Sequence, residues 1–122
     1  MISNKHRFHG RASLRRVFQN GSSTRGRTLL IKYTTAPNRT TTRCAVIVSK
    51  KIFKSAVKRN RVRRRIFEIV RHELNSIPVG TDIVITVLAP DVLLLSHTDL
   101  TTELTKLLSR VQLPAHSSNK MI

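Results

Sequence analysis

No aspartate or glutamate precedes Glu68, although 19 of the 23 lysines and arginines fall in residues 1–67. Residues 68–122 hold the other 4 cations and all 6 carboxylates, so the formal charge of +17 is very unevenly placed. A field of that size opposes compaction and favours a polyanionic partner. The scarcity of acids also works against paired-carboxylate catalysis. Glu68 and Glu73 are five apart, a spacing that does not stack them on one helical face, and they are expected to balance nearby arginines.

Cysteine occurs once, as Cys44 in an apolar run, which excludes a disulfide framework and any multi-cysteine metal site. It reads as a small buried hydrophobe in a reducing compartment. His6 and His9 lack a third ligand, and His72, His97 and His116 are isolated, so zinc is not expected. Neither a Gly-rich phosphate loop nor a nucleophile elbow is found, and no catalytic residue is assigned to this chain. No run approaches the ~18 apolar residues of a membrane span, and MISNKHRFHGRAS lacks the apolar centre of a signal peptide. No amphipathic stretch carries the Trp/Phe/Leu face of a membrane anchor. A cytoplasmic protein without a membrane partner is expected.

A chain of 122 residues is about one domain. Residues 1–113 are read as that domain and 114–122, PAHSSNKMI, as a disordered tail. After a polar, basic start, SLRRVFQNG at 13–21 makes a short helix, capped by Ser13 and ended by Gly21, with Leu14, Val17 and Phe18 on one face. GSSTRGR at 21–27 reads as flexible. TLLIKY at 28–33 and RCAVIV at 43–48 are strand-like and, joined through a loop containing Pro37, suggest an antiparallel pair. From about 55 to 75 Val62, Ile66, Ile69, Val70 and Leu74 recur at helical period, with Arg61, Arg64, Arg65 and Arg71 largely opposite. IPVG at 77–80 turns into DIVITVL at 82–88, apolar enough on both faces to be a central strand. Ser96 and Asp99 resemble a capping box for a last helix whose core face is Leu100, Leu104, Leu107 and Val111. The predicted order is α-β-β-α-β-α, an α+β sandwich with one sheet.

What is abundant is concentrated in KSAVKRNRVRRRIF, residues 54–67. Nine cations, Lys50, Lys51, Lys54, Lys58, Arg59, Arg61, Arg63, Arg64 and Arg65, lie between 50 and 65. A charge run is commonly just a solvated face, but two features argue otherwise. Cations at a helix N-terminus oppose the positive end of the dipole, at ~0.3–1 kcal/mol each when exposed. Arg59 and Arg63 also fall inside the apolar arc, so the first turns are expected to project past the sheet edge. A bound phosphate backbone answers both, since anions favour helix N-termini and guanidinium forks match phosphate oxygens. Phe18 has two readings, a groove residue on which a base stacks or a core residue. A DNA-binding basic helix is the weaker option, for want of a dimerising zipper or helix-turn-helix. An rRNA-binding ribosomal protein is the alternative that charge alone leaves open.

AVKRNRVRRRIFE at 56–68 resembles the Arg-Asn-Arg signature of the bacterial ribonuclease P protein subunit. RFHGRASLRRVFQNG at 7–21 is similar to that family's N-terminal aromatic element, and VSKK at 48–51 to its strand-ending Ser-Lys-Lys. The resemblance implies the fold of the second domain of a ribosomal small-subunit protein, with an uncommon left-handed β-α-β crossover. It also implies an RNA-binding subunit that assists a catalytic RNA, with magnesium bound mainly by that RNA, in removing the 5′ leader of precursor tRNA. Carried over by position, Arg59, Asn60, Arg61, Arg63 and Arg64 face the catalytic RNA, and charge adds Lys50, Lys51, Lys54 and Lys58. Phe18, Ser49 and Lys51 line a cleft for the leader, together with Leu14, which stands where the family commonly has Phe. Ala45 stands where Gly is frequent.

Overall fold

Thr81–Val87 is buried at every position but Thr86, and the sheet is built around it. The computed structural model describes residues 15, 17–19, 21–35 and 41–111. Leu14, the helix start at Ser13, His6, His9, His116 and the tail expected at 114–122 lie outside those residues. Four strands are described: β1 (Ser22–Arg25), β2 (Leu29–Thr35), β3 (Arg43–Ile47) and β4 (Thr81–Val87). Two helices, α1 (Ala56–Glu73) and α2 (His97–Leu108), follow β3 and β4, and Arg15 and Val17 to Gln19 are helical ahead of β1. The class is α+β, as expected.

The sheet order is β1-β2-β4-β3, with β2 antiparallel to β4 and β3 parallel to it. This corrects the expected pairing of β2 with β3. The connection at 36–42 lacks the two-residue Asn-Gly or Asp-Gly turn that fixes two strands as neighbours, and β4, apolar on both faces, takes the place between them. A parallel β3–β4 pair then needs the crossover that α1 supplies. The segment expected to be flexible is in part an edge strand, β1, which pairs with β2 from Ser22↔Tyr33 to Arg25↔Leu30. Being short, polar and at the edge, it carries no apolar alternation by which to be read.

Register separates the two faces. Leu29, Ile31 and Tyr33 align with Val87, Ile85 and Ile83, and Ile83 and Ile85 align with Cys44 and Val46. These side chains form one core with Val62, Ile66, Ile69 and Val70 of α1 and Leu100, Leu104, Leu107 and Leu108 of α2. Each fully buried aliphatic side chain contributes roughly 1.5–3 kcal/mol. Cys44 belongs to this layer, and burial pushes its thiol up to about 12, so it stays neutral and unreactive.

The opposite, outer face carries Lys32, Val84 and Ala45 in one row. Val17 and Val84 are both fully buried but stand outside the main core, and Phe18 lies beneath the ammonium of Lys32. The N-terminal helical turn therefore covers part of the outer face. It is held close at Gly21, whose N–H donates to Val17 O at 2.8 Å and where a Cβ would stand 2.3 Å from that oxygen. Gly21 is thus required by close approach; among the described residues the left-handed glycine is Gly80, φ 83°, in the turn before β4.

Candidate nucleic-acid interface

Ser55 starts α1 by accepting a hydrogen bond from Lys58 N at 3.3 Å, and no acid occupies the first turn. The preceding turn is folded by Ile52 N and Phe53 N, which both donate to Ser49 O. Ser49, Lys50, Lys51 and Lys54 are exposed along it, and Lys58, Asn60, Arg61 and Arg64 are exposed on the helix. Among the described residues no carboxylate pairs with any of these cations, which end together where β3 hands over to α1. Helix dipole and side-chain charge therefore have the same sign at one place.

The arginines of this run are not equivalent. Arg59 does not project freely: its Nη1 donates to Phe53 O and Lys54 O, both at 2.9 Å, closing the turn onto the helix. Arg63 donates to Asn60 Oδ1 within the helix, and Val62 is already 1% exposed, so packing reaches the second turn. Arg65 reaches Leu95 O at 2.8 Å and Val92 O at 3.5 Å, clamping the 3-10 turn Pro90–Leu94 against α1. It is structural, a role its place in a basic run gave no sign of. Lys58, Arg61 and Arg64 keep their hydrogen-bonding capacity for a partner.

Three of the six carboxylates are engaged elsewhere. Asp82, fully buried, takes a two-pronged contact from Arg43, Nε to Oδ1 at 3.0 Å and Nη2 to Oδ2 at 2.9 Å. Glu103 accepts from Thr28 N at 2.9 Å and Leu29 N at 3.1 Å, and from the Thr28 hydroxyl. The hydrogen bond from Arg71 holds the Glu68 carboxyl below its ordinary range. The expectation that Glu68 and Glu73 balance arginines holds for Glu68; among the described residues Glu73 has no ion pair, and the other acid that meets an arginine is Asp82.

On the outer face Phe18 is 42% exposed, which sets aside its reading as a core residue; Val17 is the buried anchor. Lys32 Nζ stands 5.3 Å from the ring centroid. This cation beside an aromatic ring offers partners for both a phosphate and a base. Lys32 was missed in the sequence, although the alternation of Leu29, Ile31 and Tyr33 inward leaves Lys32 outward. Ser49 continues the outward row of Ala45 and Ile47 beyond the end of β3, with Lys51 in the following turn. Leu14, the remaining residue expected in the cleft, lies outside the described residues.

One sheet face sealed by two helices, a cationic helix start free of acids and a lysine–phenylalanine pair on the other face define a small RNA-binding protein. The family model described as Ribonuclease P matches residues 2–112. A ribonuclease P protein component from Pseudanabaena sp. is 38% identical over 87 residues, 71% of this chain and 75% of that protein. One from Chloroflexus aurantiacus is 37% identical over 109 residues, covering 88% and 78%. Among solved structures, the RNase P protein from Thermotoga maritima superposes with a TM-score of 0.78 at 24% identity, over 87% of this chain and 97% of that one. The Staphylococcus aureus protein gives 0.75 at 22%, over 84% and 92%, and at such identities the likeness speaks to the fold. The chain belongs to the ribonuclease P protein family, the RNA-binding subunits of a tRNA-processing endoribonuclease. The ribosomal alternative finds no support in these matches.

Proposed function

We propose that the chain holds the catalytic RNA of ribonuclease P at the start of α1 and the 5′ leader of precursor tRNA on the outer sheet face. The observation that carries this reading is the gathering of unpaired, exposed cations, Lys50, Lys51, Lys54, Lys58, Arg61 and Arg64, at one helix N-terminus. Phosphate oxygens bind there through guanidinium forks, ammonium groups and the helix dipole together. Asn60 and Arg63 brace each other beside them, and Arg59 shapes the turn while presenting its remaining N–H groups. Phe18 and Lys32 offer the leader a stacking surface and a counter-charge, with Ser49 and Lys51 farther along the same side and Leu14 assigned there by its place in the family's element.

Hydrolysis is assigned to the partner RNA. Among the described residues no three His, Cys, Asp or Glu side chains converge, and Asp82 and Glu103 are bound to Arg43 and to Thr28 and Leu29, which supports reading magnesium as held mainly by the RNA. On that reading the protein's contribution is affinity and position. A cytoplasmic location fits a lone buried thiol and a precursor tRNA substrate. No described helix is long and apolar enough to cross a membrane.

The test is cleavage of a leader-bearing precursor tRNA by the cognate RNA at low magnesium, with and without the protein. The protein is expected to raise cleavage well above RNA alone, and Phe18→Ala to weaken binding of leader-bearing substrate more than of mature tRNA. No stimulation by the unaltered protein would refute the proposal, and equal losses would remove Phe18 from the leader site.

A further inference from the structure

The second half of the chain holds four cations, and two of them, Lys106 and Arg110, come together with Arg25 and Arg27 of the first half around one cleft of 540 Å³. The cleft lies between the β1–β2 turn and α2. All four cations are exposed, and among the described residues none has a carboxylate within 4.0 Å. Two acids also line it, but Glu103 is turned onto Thr28 and Leu29, and Asp99 sits at the far, N-terminal end of α2. Lys106 lies in the last turn of α2, and Arg110 follows just beyond the helix end. Arg110 is steadied by a hydrogen bond from its Nη1 to Thr24 Oγ1 at 3.3 Å. Cations at the C-terminal end of a helix complement its dipole, which accounts for Lys106 in the last turn and Arg110 just past it. It does not account for Arg25 and Arg27, which approach from the hairpin and raise the local repulsion.

Sheet register relates this cleft to the cationic start of α1. Leu29, which follows the β1–β2 turn, pairs with Val87, and Ile47, which precedes Ser49, pairs with Thr86. Both cation groups therefore lie at the same end of the sheet, at opposite edges, with β1 and β3 ~14 Å apart across three strand spacings.

We infer that the cleft formed by Arg25, Arg27, Lys106 and Arg110 is a second phosphate-binding site, which takes the backbone of an RNA strand separately from the α1 surface. That the polyanion is RNA rests on the function proposed above; that the site binds phosphate rests on the four unpaired cations. An extended strand fits better than a single enclosed nucleotide, because the cations are spread along an open cleft rather than converging on one point.

The experiment measures binding of the full chain to the ribonuclease P RNA over a range of salt. Arg27→Gln with Lys106→Gln removes two cations without touching Glu103, and is expected to make the log–log slope shallower by ~1.4–1.8. Arg61→Gln with Arg64→Gln is expected to do the same, and the two effects to add. The charge-preserving pair Arg27→Lys with Lys106→Arg should restore the slope. A slope changed only by the α1 pair overturns the second site and leaves the proposed function standing; a slope changed by neither overturns both. Independently of folding in any variant, Lys106 of the unaltered protein should be protected from acetylation at least severalfold by the RNA. Full accessibility of Lys106 in the complex overturns the site. Equal protection by inorganic phosphate at matched phosphate concentration overturns its assignment to a strand.

Discussion

Arg59 and Arg61 stand two positions apart in one basic run, yet they face different demands. Arg59 makes two hydrogen bonds of 2.9 Å to the carbonyls of Phe53 and Lys54, whereas Arg61 is exposed with no acceptor among the described residues. Hydrogen bonds from a charged donor are worth more than neutral ones but lose part of that at the surface, so Arg59→Ala is expected to cost about 1–2 kcal/mol. Arg61→Ala should stay within about 0.5 kcal/mol of the original stability and make the log–log salt slope of RNA binding shallower by ~0.7–0.9. Urea unfolding and salt-dependent binding of the two variants separate these effects; an unchanged urea midpoint for Arg59→Ala would show that the turn stands without its clamp. The sequence could not distinguish these residues, because the acceptors of Arg59 are backbone carbonyls that no side-chain period records. It did mark Phe18 as a residue with two readings, and its 42% exposure chooses between them.

At the scale of elements, both helices were legible because their apolar period and caps agree. Ser55 and Ser96 accept from Lys58 N and Asp99 N, and Val62 through Val70 and Leu100 through Leu108 supply the buried stripes. Strand β4 announced its central place by being apolar on both faces, but its neighbours did not follow, since adjacency in sequence is a weak guide where no two-residue hairpin turn joins the strands. Strand β1 was not legible at all: SSTR is polar, and what holds its hairpin to the body is Glu103, 75 residues away from Thr28. Removing that carboxylate tests the point. Glu103→Ala leaves the N–H groups of Thr28 and Leu29, both residues buried, without their acceptor, and is expected to lower stability by about 2–3 kcal/mol. Glu103→Gln keeps one acceptor oxygen and should recover part of the loss. Thermal unfolding checks both, and a Glu103→Ala variant as stable as the original would mean that the hairpin is held by strand pairing alone.

For the whole molecule, the charge of +17 is both what limits stability and what directs binding. The helices and sheet close a single core, and three of the six carboxylates, Glu68, Asp82 and Glu103, are already engaged, so most cations of residues 1–67 must be relieved by something outside the chain. Anions that bind the folded state stabilise it by RT ln(1 + [L]/Kd), ~2.7 kcal/mol at a hundredfold excess over Kd. For a domain of this size that corresponds to a rise in Tm on the order of 10 °C. General screening would act equally for any salt of the same ionic strength, whereas phosphate groups placed at a helix N-terminus act specifically. Inorganic pyrophosphate is therefore expected to raise Tm well beyond sodium chloride at matched ionic strength, and the rise should shrink when Arg61 and Arg64 are replaced by Gln. Identical rises with the two salts would reduce the charge to a diffuse repulsion. A specific rise would show that the folded chain is completed electrostatically by bound phosphate, and so that the surface recruiting RNA also sets how firmly the protein folds without it.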